Sequence, residues 1–116
     1  MARSDSDVGA VAVASTLSLD DDPGAAVRAT AGLLYGWSVI NTTLAVAYVQ
    51  VFDADAVTDV TLGSTQPRFV IPLAASGVVN VALAKPIVFA NGIVVFSTTT
   101  PTGSTGAAVN AAWYHG

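Results

Sequence analysis

Closely spaced turn signals constrain this chain more than any other feature. Asn41-Thr42-Thr43, Gly63-Ser64, Ser76-Gly77, Lys85-Pro86, Asn91-Gly92 and Pro101-Thr102-Gly103 cut most of it into segments of strand length. Proline fixes one backbone angle and glycine accepts angles that other residues avoid, so such clusters end regular structure. Ala, Val, Thr and Gly dominate the chain, and the branched side chains of Val, Ile and Thr are stiff in a helix and fit a pleated surface. The spacing predicts an all-β chain, a β-sandwich or jelly-roll-like fold with about eight short strands and an extended N-terminal arm.

At 116 residues one hydrophobic core suffices. Residues 1–24 read as the extended arm and a hinge, and residues 25–116 as the β-sandwich domain. Residues 1–7 are small and polar, the composition of a disordered tip. In the arm, Val11 and Val13 alternate with Ala12 and Ala14, and Leu17 and Leu19 flank Ser18, a period of two. Asp20-Asp21-Asp22-Pro23-Gly24 ends it in a turn. Strands are expected at about Val27 to Ala31, Leu34 to Ile40, Leu44 to Phe52, Phe69 to Leu73, Val78 to Ala84, Ile87 to Phe89, Ile93 to Thr99 and Val109 to Tyr114.

Both faces of Leu44 to Phe52 are apolar, which predicts a central strand. Pro72 cannot donate a ladder hydrogen bond and places Phe69 to Leu73 at an edge or a bulge. Asn91-Gly92 is the strongest hairpin mark. The polar run Thr98 to Gly106 reads as a loop free to move or to touch a neighbour.

Only 10% of the residues are charged, against about a quarter in ordinary soluble domains. Such a thin polar coating predicts that much of the surface is an interface. The net charge of -4 comes from eight Asp against Arg3, Arg28, Arg68 and Lys85, without a basic stripe, which disfavours nucleic acid. Without cysteine there is no disulfide framework and no thiolate chemistry. Asp5 and Asp7 ahead of a short apolar run make a poor signal peptide. The uncharged stretch Ala29 to Phe52 is interrupted by Gly32, Gly36, Asn41, Thr42, Thr43 and Gln50, so two strands fit it better than a membrane span of about 20 apolar residues.

No catalytic constellation emerges. His115 is the only histidine and stands one residue from the end of the sequence, where fraying is expected. Asp53, Asp55 and Asp59 offer carboxylates, but a solvated loop is the plainer reading, and the segment lacks the glycine and bidentate glutamate of an acidic calcium loop. Asp20 to Asp22 is a second acidic run of the same kind. Gly32, Gly36, Gly63 and Gly77 do not form a phosphate-cradling motif. No enzyme activity and no cofactor are expected. Trp37, Trp113, Tyr35 and Tyr114 are core residues by default; at a surface they would anchor a partner protein or stack on sugar. With Val11, Val13, Leu17 and Leu19 of the arm they form the candidate interface set.

Gly32-Leu33-Leu34-Tyr35-Gly36, Asn41-Thr42-Thr43 and Tyr48-Val49-Gln50-Val51-Phe52-Asp53, followed by Thr65-Gln66-Pro67, Val70-Ile71-Pro72-Leu73 and Phe89-Ala90-Asn91-Gly92-Ile93, the Thr98 run and the aromatic close at Tyr114, resemble the small virion proteins of tailed bacteriophages. The likeness spans about residues 30 to 114 and carries no catalytic signature. It implies a capsid decoration, or cement, protein: a β-sandwich subunit, commonly trimeric about a symmetry axis, on the outer surface of the virion. The implied partners are the major capsid protein and further copies of the chain, with no membrane and no nucleic acid. A receptor- or glycan-binding module of a head fibre or tail is the alternative.

Overall fold

A computed structural model describes residues 12–21 and 24–116, apart from the side chains of Leu17 and Ser18. Among these residues eight strands are formed: β1 (Ala12–Leu19), β2 (Ala25–Arg28), β3 (Gly32–Asn41), β4 (Ala47–Phe52), β5 (Phe69–Leu73), β6 (Val78–Phe89), β7 (Ile93–Thr98) and β8 (Val109–His115), with one 3-10 turn at Val57–Asp59. The chain is all-β, as its turn spacing predicts. Two four-stranded sheets run in the orders β1-β8-β3-β6 and β2-β7-β4-β5.

The antiparallel pairs β1–β8, β2–β7, β3–β6 and β4–β5 are those of a chain folded back once, about the 53–68 connection, into a single long hairpin. Wrapping the doubled ribbon sends successive pairs to opposite sheets, and β3–β8 and β4–β7 then complete the ladders. This is the strand order of a jelly roll, the narrower of the two expected architectures.

The core lies where the alternation of the sequence points. Leu34, Trp37 and Val39 of β3 face Val49 and Val51 of β4 and Val95 of β7 across the sandwich, all buried. Trp113 of β8 meets Trp37 at a centroid distance of 6.3 Å, and Trp37 stacks on Phe69 of β5 at 5.3 Å. Three rings thus reach from one sheet to the other. Burying one large apolar side chain contributes about 1.5–3 kcal/mol, so this row is a large share of the stability.

A second, smaller cluster lies outside the second sheet. Phe52 and Phe96 meet edge to face at 5.8 Å, and Val94, Ala54, Val57, Val60 and Leu62 pack around them. The 53–68 connection folds over that face, so Phe52 of β4 and Val94 and Phe96 of β7 are buried on the outer side as well. Here the expected central position of the Leu44 to Phe52 segment holds.

Four expectations change. The stretch assigned to an arm outside the 25–116 domain is, over Ala12–Leu19, an edge strand paired with β8, and Leu19 is in the core. Leu44 and Val46 are outside β4 and exposed, because the buried Asn41 amide donates to the carbonyls of Ala45 (2.8 Å) and Ala74 (2.9 Å) and its oxygen accepts from Thr43, curling 42–46 into a loop. Lys85-Pro86 does not separate two strands: β6 runs through it, with residues 83–86 bulging opposite Tyr35. Asn91-Gly92 is not a hairpin, since β6 and β7 belong to different sheets. The disordered tip expected at 1–7, Val11, and Asp22-Pro23 of the hinge lie outside the described residues.

Candidate interaction face

The outward side chains of the first sheet stand in rows set by the ladder register. One row runs Val13, Tyr114, Gly36, Ala82; the next Ser15, Ala112, Ser38, Asn80; a third Asn110, Ile40, Val78. None of these residues is charged. The middle row is small and polar and sinks between its neighbours, giving a shallow trough of about 270 Å³ lined by Ser15, Ser38, Ile40, Val78 and Asn80 among others. The Tyr114 and Ser38 hydroxyls share a hydrogen bond of 3.1 Å at its side.

Val13, Ile40, Val78 and Val88 of this sheet are 47–61% exposed, and Leu44, in the loop after β3, is 91% exposed. The second sheet offers nothing comparable. Its outer face holds the Phe52–Phe96 cluster and the Thr98 loop, where the buried Gln50 amide donates to the Thr98 hydroxyl (2.8 Å) and the Gly103 carbonyl (3.0 Å). The loop expected to be free is therefore tied down at both points. The Thr99 N–H closes it further on the Thr105 carbonyl at 2.8 Å.

A polar pocket of about 470 Å³ opens elsewhere, between Asp53, Asp55, Asp59, Gln66, Arg68 and Asn91. Its groups are largely committed. The Asp53 carboxylate accepts the N–H groups of Ala90 (3.1 Å), Asn91 (2.8 Å) and Gly92 (3.4 Å), holding the turn between the sheets. Burial favours the neutral acid, but those N–H groups and the Arg68 charge outweigh it and hold the Asp53 pKa below its ordinary value. Arg68 itself donates to the Val88 carbonyl and lies 4.9 Å from the centroid of the Phe89 ring. Asp59 is shifted the other way by its hydrogen bond to Asp55 and by that neighbour's charge. Among the described residues no group of three or more His, Cys, Asp or Glu is placed to hold a metal ion.

The candidate interface residues are dispersed. Trp113 is fully buried and Trp37 nearly so: both indoles lie inside the sandwich, where Trp37 stacks on Phe69 of the second sheet. Leu19 is likewise core. Val13 and Tyr114 do meet on the outer face as ladder partners. Tyr35 is half-buried, opposite the bulge of β6 and at the register shift of β3 against β8. Val11 lies outside the described residues, and the Leu17 side chain is not described. His115, expected to fray, is paired with Leu34 in β8; burial and then Arg28 lower its pKa.

Sequence reasoning missed Ile40, Val78 and Asn80, the exposed residues that shape the trough. Their signal was present, since each alternates with a core residue along its strand, but only the strand order shows that they share a face. Among the described residues no helix is long and apolar enough to cross a membrane. Comparison with protein-family models, curated proteins and solved structures finds no match to this chain.

Proposed function

We propose that this protein is a non-enzymatic structural subunit that works by packing, and that it is a capsid decoration protein on the outer surface of a virion. One observation carries the reading: among the described residues, the outward rows of the first sheet from Val13 to Val78 hold no charge and no loop covers them, while the chain's own loops cover the second sheet. The sequence resemblance to phage virion proteins supports it. The jelly roll is compatible, since viral capsid domains use that architecture, but lectins and cupins use it too.

The physical mechanism is modest burial repeated many times. Four strands at about 4.8 Å spacing and roughly 25 Å of length give a flat face on the order of 500 Å², below the ~800 Å² per partner of a stable complex. A single contact of this size is weak. Many copies seated on a repeating shell add their contacts, so the layer holds where one subunit would leave. Trp37 and Trp113, two of the aromatics on which the glycan-binding alternative relied, are buried, which favours the packing reading.

Electron cryo-microscopy of particles of the virus that encodes the chain tests the reading. Density for this sandwich on the outside of the shell, first sheet inward, is expected. Particles bearing no copy of it, or copies seated by another face, would contradict the proposal.

A further inference from the structure

We propose that the free edge of β6 pairs with the same edge of a second copy, about a two-fold axis at Asn80, making one eight-stranded sheet from two first sheets. This concerns self-association only and stands whether or not the protein binds a shell.

An edge strand exposes unpaired N–H and C=O groups, and proteins blunt such edges with prolines, charges, bulges or short length. Two of the four edges here are blunted, and in β1 a register shift leaves only the five residues Ala12–Thr16 evenly paired. β2 has four residues, a register shift between Ala26 and Arg28, and the Arg28 charge. β5 carries Pro72, which has no N–H to offer. β1 shifts register between Thr16 and Leu19. β6 differs: from Val78 to Ala82 its ladder with β3 is unbroken, and Val78-Val79-Asn80-Val81-Ala82-Leu83-Ala84 holds no charge and no proline. Lys85 and Pro86 mark the far limit of this open segment.

The phase of the ladder shows which groups are free. The Asn41 N–H donates to the Gly77 carbonyl at 2.8 Å, and a Cβ on Gly36 would lie 2.2 Å from the Val81 carbonyl oxygen. Hydrogen-bonded and non-hydrogen-bonded pairs alternate along antiparallel strands. Val79 and Val81 therefore turn their backbone groups toward β3, whereas Val78, Asn80 and Ala82 turn theirs outward, where none of the described strands lies.

A two-fold axis at Asn80 satisfies them together. Asn80 exchanges N–H···O=C bonds with its own copy, and Val78 does so with the copy's Ala82. On the inner side, half-buried Val79 faces the copy's Val81. On the outer side the two Asn80 amides stand opposite one another, able to hydrogen-bond and fix the register. A second copy is the occupant that these features favour: the segment places no charge against its mate, although each chain carries a net charge of -4. Because the axis passes beside the trough, the two bare faces become continuous.

Sedimentation velocity between about 10 and 500 μM, the range suited to a contact smaller than a ~1,600 Å² standard interface, tests this. The native chain should shift from monomer to dimer across the series. Asn80→Pro removes an N–H that β3 does not use, so the fold should persist by circular dichroism while the dimer is lost. Asn80→Asp, which opposes two carboxylates at the axis, should weaken association at least tenfold at neutral pH and serves if the proline variant does not fold. A native chain that stays monomeric or forms a trimer, or folded variants that dimerise like the native chain, would overturn the proposal.

Discussion

The indole N–H of Trp113 donates to the Thr16 hydroxyl at 3.1 Å, binding edge strand β1 to the largest fully buried side chain of the core. A shared hydrogen bond of this kind makes the N-terminal strand part of the sandwich. Thr16→Val keeps the shape and strands the buried donor, which costs about 1–3 kcal/mol. At roughly 4–8 °C per kcal/mol for a domain near this size, thermal unfolding should show a clear fall. Thr16→Ser should restore most of it.

Asp53 should give the fold an acid-sensitive hinge between its sheets. Its folded pKa lies below the ordinary 3.8, so its contribution is present above that value and is lost as pH falls through the folded pKa. Asp53→Asn weakens the hold on Ala90, Asn91 and Gly92; for a partly exposed carboxylate we expect a loss of about 1 kcal/mol at neutral pH. Denaturant titrations should show the two proteins converging below about pH 3.8.

Asp59 carries the opposite sign. Its pKa is raised by Asp55, so ionisation costs stability as pH rises from 3.8 through the folded value, and the cost is complete at neutral pH. Asp59→Asn should therefore raise the unfolding midpoint at pH 7 and leave it unchanged well below pH 3.8, with both measured in the same buffer series.

Gly92 is required for space, and Gly63 for backbone angle. A Cβ at Gly92 would meet the Ala54 and Arg28 carbonyl oxygens at 2.4 and 2.6 Å, both backbone atoms that cannot swing aside. Gly92→Ala should cost about 1–3 kcal/mol through overpacking. At Gly63, φ is +84° and an added Cβ would meet only Ser104 Cβ, at 4.0 Å, so Gly63→Ala should cost only the left-handed penalty of about 1–2 kcal/mol. Chemical denaturation separates the two if Gly92→Ala also shifts near-ultraviolet signals from the Phe52 cluster.

Strand class and most strand positions were legible because alternation and turn residues act locally. Phe69–Leu73 appears as expected, with Pro72 on an edge. What local signals do not carry is the destination of a turn. Asn91-Gly92 looks like a hairpin, yet Asp53, 38 positions before Asn91, takes its N–H groups and sends β7 to the other sheet. Leu44 looks like strand until the side chain of Asn41 closes the loop around it. Likewise Trp113 and Tyr114 are adjacent, and only the sheet order decides which is core and which lies on the bare face.

Binding of the protein to shells stripped of it, measured by cosedimentation for the native chain and for Ile40→Asp, tests the role of that face most directly. Ile40 is 47% exposed at the rim of the trough, so an aspartate there should leave the unfolding temperature within a few degrees while charging the surface that the proposal buries. We predict at least a tenfold loss of shell affinity, about 1.4 kcal/mol or more. Shells that bind Ile40→Asp as tightly as the native chain, or that bind neither, would contradict the account.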